Sequence, residues 1–132
     1  LGDDSGLCVD ALHGAPGLYS ARYAGVHGDS DANIDKLLRE IDGIADPART
    51  ARFVCVLALV RHADDPMPLV AEGRWEGRVL RARRGSNGFG YDPVFLDPEN
   101  GVSAAELAPA IKNAISHRGR ALAELRNRIA RL

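Results

Sequence analysis

The sequence predicts a mixed α/β fold, a twisted central sheet with flanking helices, in a single domain over 1–132. Three observations predict it. ARFVCVLALVRH (51–62) is apolar, rich in β-branched residues and bounded by turn signals, which favours a central strand. Ile34, Leu37, Leu38 and Ile41 recur at helical spacing. Apolar residues make up 45% of 132 residues, enough for one domain with a packed core.

The other elements follow in chain order. Residues 1–10 read as a turn, then a short strand or helix start. HGAPGLYSARYAG (13–25) carries three glycines and a proline, so it reads as a loop with fixed turns. Asp29, Ser30 and Asp31 offer N-caps to the helix that Gly43 stops. DDPMP (64–68) is a turn. Leu69 to Glu72 and Arg74 to Leu80 read as two strands parted by Gly73, giving an antiparallel meander with 51–62. RGSNGFGYDP (84–93) is a second glycine-rich loop, and VFL begins another strand. Ser103-Ala-Ala-Glu106 is a capping box opening a short helix. Pro109 suits the first turn of another helix. A last helix near Arg118 to Leu132 aligns Leu122, Leu125 and Ile129 on one face.

Composition excludes some functions. The formal net charge is −1, against a nucleic-acid surface working by bulk positive charge. The longest apolar run, Phe53 to Val60, is too short to span a bilayer. Cys8 and Cys55 make no zinc site and point to a reduced, cytoplasmic protein. Cys55 lies in an apolar run and is predicted to be buried.

Three clusters could carry chemistry. Asp3-Asp4-Ser5-Gly6 offers adjacent carboxylates, of which only one faces a given pocket. One carboxylate can bind Mg²⁺ and position or deprotonate a water, and the same residues also suit a polar turn. In Gly85 to Pro93, Gly88 and Gly90 bracket Phe89. The ring could stack on a flat ligand while Asp92 accepts its hydrogen bonds, or the loop could be a hairpin with a core Phe. Lys112, His117 and Arg118 could converge on one anion or base, with His117 able to gain charge, or form a solvated basic face. His13, His27 and His62 look ordinary, and Trp75 reads as core.

DDSGL, APGLYSARYAG, NGFGYDPVF and KNAISHRGRAL, in that order, resemble the inosine/xanthosine triphosphate pyrophosphatases, the Ham1-like proteins. The resemblance implies a Mg²⁺-dependent homodimer with a nucleotide cleft between two lobes. It implies hydrolysis of deaminated purine nucleoside triphosphates (ITP, dITP, XTP) to the monophosphate and pyrophosphate. By that match Asp4 is the catalytic, metal-binding carboxylate and Ser5 a substrate contact. Phe89, Gly90, Tyr91 and Asp92 match the base-binding loop, and Lys112, His117 and Arg118 the other substrate positions. Pro-Ala-Ile stands before Lys112 where relatives usually carry acids. The family's Ser/Thr-x-Asn-x-x-Lys triphosphate loop and a second metal-binding acid are not in this sequence. The expectation is therefore a truncated copy, either a working pyrophosphatase domain or a non-catalytic nucleotide-binding or dimer-forming remnant.

The substrate class makes physical sense. Inosine and xanthosine carry a keto acceptor at position 6, which suits the donors of Arg118 and His117. Adenine presents an amino donor there and leaves those donors unpaired.

Overall fold

The computed structural model describes residues 1–132. Five strands form one antiparallel sheet in the order β1–β2–β3–β4–β5: β1 (Gly2–Val9), β2 (Thr50–Leu59), β3 (Leu69–Val79), β4 (Phe95–Asp97) and β5 (Val102–Ser103). Three α-helices accompany it: α1 (Ser30–Glu40), α2 (Pro109–Ile115) and α3 (His117–Ala130). β2 and β3 pair antiparallel across the turn predicted at 64–68.

β2 alternates buried and half-buried positions along its length, because its odd-numbered side chains point to one face. Register places Phe53 opposite Leu7 of β1 and Trp75 of β3. Phe53, Trp75 and Phe95 form an aromatic cluster with Phe53–Phe95 centroids 4.4 Å apart. Ile34 and Leu37 of α1, with Ile41 just past its end, close over it. Full burial of each such side chain contributes about 1.5–3 kcal/mol. A second cluster, Cys55, Leu57 and Ala71 under Ala121 and Leu125, seats α3 on the same face.

α1 begins where Asp29 accepts the Ala32 N–H and is latched at its far end by Arg49. That guanidinium is buried and donates to the carbonyls of Ile41, Ile44, Val79 and Leu80. No counter-ion touches it. Four carbonyl acceptors offset the cost of burying its charge, and they tie the helix to the end of β3.

Three readings need correction. Residues 2–9 are a full strand rather than a turn and a short element. β3 runs unbroken through Gly73. That glycine marks a close approach, since a Cβ there would collide with the His117 carbonyl and the Ala121 N–H of α3. The last helix buries Ala121 and Leu125, whereas Leu122 and Ile129 stay largely exposed. The helix sits so close to the sheet that small residues make the contact. The capping box at Ser103 and Glu106 is present, on a single 3₁₀ turn.

Candidate nucleotide site

The loop between β3 and β4 carries the first part of the site. Asp92 is buried and accepts two hydrogen bonds on one carboxylate oxygen, from the Phe89 N–H at 3.0 Å and from Lys112 Nζ at 2.5 Å. Gly88 has φ +79°, and a Cβ there would strike that same oxygen, so the turn demands glycine. The turn leaves Phe89 69% exposed, with Lys112 Nζ 4.7 Å from its ring centroid. A ring held out of the core beneath a cation is built to stack on something. Tyr91 is buried and donates its hydroxyl to the Ser20 carbonyl at 2.7 Å. Burial pushes its phenol pKa well above the usual value.

α3 supplies the second part. Ser116 caps the helix by accepting the Gly119 N–H, which places His117 in the first turn. The imidazole stacks on Phe53 at 4.8 Å between centroids. Its Nδ1 is buried without a hydrogen-bond partner. Burial pushes its pKa down to about 4, and the neighbouring cations Arg118 and Lys112 add to the effect. His117 is therefore neutral at pH 7 and does not gain charge in the way an exposed histidine would. This has a sign. The unfolded imidazole binds a proton near 6.5 and the folded one only near 4. Between those values the unfolded state holds more protons, so stability rises with pH and is lost as the pH is lowered through that range. The expected loss from this group is about 2 kcal/mol between pH 6.5 and 5. Urea midpoints of wild type and His117→Phe across that range check it, and an equally steep fall in the variant would rule the assignment out.

Two hollows meet at Phe89 and His117. The first, about 250 Å³, lies between the edge of β1 (Ser5, Leu7), the Tyr91–Asp92 turn and the segment leading into α1. Ligand pockets run from about 300 Å³ upward for drug-sized molecules, so this one suits a flat ring rather than a whole triphosphate. The second, about 570 Å³, is rimmed by Lys112, Arg118 and Arg126 and suits an anion. Eight of the nine sequence-predicted residues thus gather around one place. Ser5, Phe89, Gly90, Tyr91, Asp92 and His117 line the first hollow, and Lys112 and Arg118 the second.

Asp4 is the one not brought in. Along β1, Asp3, Ser5, Leu7 and Val9 share the buried face, so Asp4 points to the other one and is exposed. Asp3 instead pairs with Arg118, Oδ2 to Nη2 at 2.8 Å. No three His, Cys, Asp or Glu side chains cluster as a metal cage. A lone free carboxylate still fits Mg²⁺, which is commonly held by one or two carboxylates plus substrate phosphates.

The sequence reading passed over Ser20 and Asn33, both buried beside the first hollow. Ser20 Oγ accepts the Leu7 N–H and donates to the Gly17 carbonyl. Asn33 accepts the Ala24 N–H and donates to the Ala21 carbonyl. They fix the loop that walls the cavity.

Fold and site together define an α/β domain with a ring-sized cleft between an aromatic loop and a cationic helix start. The chain belongs to the Ham1 family, whose model matches residues 1–128. It is 60% identical over 129 residues to a dITP/XTP pyrophosphatase of Pseudomonas aeruginosa, covering 98% of this chain and 65% of that protein. To the dITP/XTP pyrophosphatase of Vibrio cholerae it is 57% identical, covering 95% of this chain and 62% of that one. The chain thus spans somewhat less than two thirds of these relatives. The solved structure of a HAM1 protein from Coxiella burnetii superposes with a TM-score of 0.92 at 48% identity, over 98% of this chain and 66% of that one.

Proposed function

We propose that this chain carries the base-recognition site and the proton-accepting carboxylate of a pyrophosphatase acting on deaminated purine nucleoside triphosphates (ITP, dITP, XTP). The observation that carries the reading is the exposed Phe89 ring beside the neutral His117, with Lys112 and Arg118 at the rim. Phe89 supplies a stacking face for a purine, worth about 1–3 kcal/mol per base in comparable sites. His117 and Arg118 supply donors for a 6-keto oxygen. Lys112 and Asp92 pair with each other and hold the loop that carries Phe89.

Asp4 has no partner and lies on the face of the edge strand β1 away from the two hollows; by the family match it would take the proton of the attacking water, with the base in the hollow and the phosphates passing the strand's edge. Mg²⁺, when bound, would neutralise phosphate charge beside that carboxylate. The reading includes a homodimer, a cytoplasmic setting and substrates drawn from the nucleotide pool. No helix is long and apolar enough to cross a membrane.

The test supplies ITP, XTP or ATP with Mg²⁺ and follows pyrophosphate and monophosphate. The expected result is pyrophosphate with IMP or XMP, and ATP slower by about 100-fold or more. Orthophosphate in place of pyrophosphate, or equal rates with ATP, would overturn the reading. ITP binding without turnover would favour a non-catalytic, nucleotide-binding remnant of the fold.

A further inference from the structure

We infer that Asp3 is a positioning residue: its carboxylate holds the Arg118 guanidinium at the rim of the second hollow, next in sequence to the His117 that lines both, and so sharpens the choice of base. The inference rests on the functional reading above. Arg118 stands in the first turn of α3 with its side chain half exposed. Unrestrained, such a side chain samples many rotamers and loses that freedom on meeting a ligand. Asp3 removes the freedom in advance. Its Oδ2 takes Arg118 Nη2 at 2.8 Å. Its other oxygen accepts the Ser5 hydroxyl at 3.2 Å, with the Cys55 thiol 3.7 Å away. The carboxylate is itself fixed by β1 and β2, so it makes a rigid anchor.

The clamp uses one edge of the guanidinium. Arg118 meets Asp3 as an ion pair through Nη2, and its Nε and Nη1 remain for a ligand. An arginine held at one nitrogen with the rest of its fork open suits an acceptor such as a keto oxygen. The pair is too exposed to add much stability, so its worth lies in orientation. The same occupancy sets Asp3 apart from Asp4. Each oxygen of Asp3 is already engaged, while the neighbouring carboxylate is free.

The experiment uses Asp3→Asn, Arg118→Ala and the double variant, with inosine and adenosine monophosphates titrated calorimetrically. Asp3→Asn is expected to weaken inosine monophosphate about tenfold and adenosine monophosphate less than about twofold, with no further loss in the Arg118→Ala background. In the free protein, side-chain ¹⁵N NMR should show the slow-rotating Arg118 guanidinium signals collapse in Asp3→Asn, while the melting temperature holds. Equal weakening of both nucleotides, an undiminished effect without Arg118, or unchanged guanidinium signals would each overturn the assignment. A wild type with no preference for the inosine ligand would instead sink the functional reading. The guanidinium signals would still decide whether Asp3 anchors Arg118.

Discussion

Asp4→Asn is expected to leave fold and nucleotide binding intact and to lower ITP turnover by about 10²–10⁴-fold. Asp4 is exposed on the open face of β1, so its carboxylate supports no packing. The amide is isosteric, neither deprotonates water nor binds Mg²⁺ well, and makes no new clash. Asp3 is the control, because two adjacent acids are easily confused. The structure engages both oxygens of Asp3, with Arg118 and Ser5, whereas Asp4 has no partner. Asp3→Asn should therefore cost turnover far less than Asp4→Asn and act mainly on selectivity. Steady-state pyrophosphate release at saturating Mg²⁺ separates the two. Asp4→Asn within a few-fold of wild type would discard the role, and the reverse ranking would move it to Asp3.

The sequence carried β2 and α1 because their signals are local. β2 is apolar and β-branched, and α1 repeats its apolar residues every third or fourth position, so tertiary contacts only confirm what each stretch prefers. The misreadings of β3 and of the last helix share one cause. Gly73 punctuates a strand pattern, and Ala121 carries little hydrophobic weight beside Leu122 and Ile129. Their meeting across β3 and α3 is a long-range contact between small residues, which a periodicity cannot express.

The site divides the same way. Phe89, Asp92, Lys112 and His117 were legible as residue types in telling company. The orphaned Nδ1 of His117 and its loss of charge follow from burial against Phe53, which depends on β2 and α3 packing face to face. The direction of Asp4 follows from strand parity, which was hidden while residues 1–10 read as a turn. Ser20 and Asn33 were missed because their work is done on main-chain groups of a loop, and nothing in a serine or asparagine announces which carbonyl it will meet.

Gly73→Ala is expected to destabilise the protein by about 2–3 kcal/mol, a fall in melting temperature of roughly 10 °C for a chain of this size. The sign is the informative part. Glycine inside a strand ordinarily costs about 0.5–1 kcal/mol relative to alanine, so local propensity alone says the substitution should help. Here the added methyl would run into the His117 carbonyl and the Ala121 N–H, which are main-chain atoms of a capped helix and cannot rotate away. Relief requires α3 to lift from the sheet. That movement would draw His117 off Phe53 and pull Arg118 away from Asp3, since both residues stand in the helix's first turn. Nucleotide affinity should therefore fall along with stability, by about tenfold for inosine monophosphate. Leu125→Ala, which opens a cavity under the same helix four residues beyond Ala121, serves as the comparison. It should cost similar stability while leaving the first turn in place, with affinity within about threefold of wild type. A stabilised Gly73→Ala protein would show that α3 does not press on β3, and equal losses of affinity in both variants would show that the site responds to stability alone.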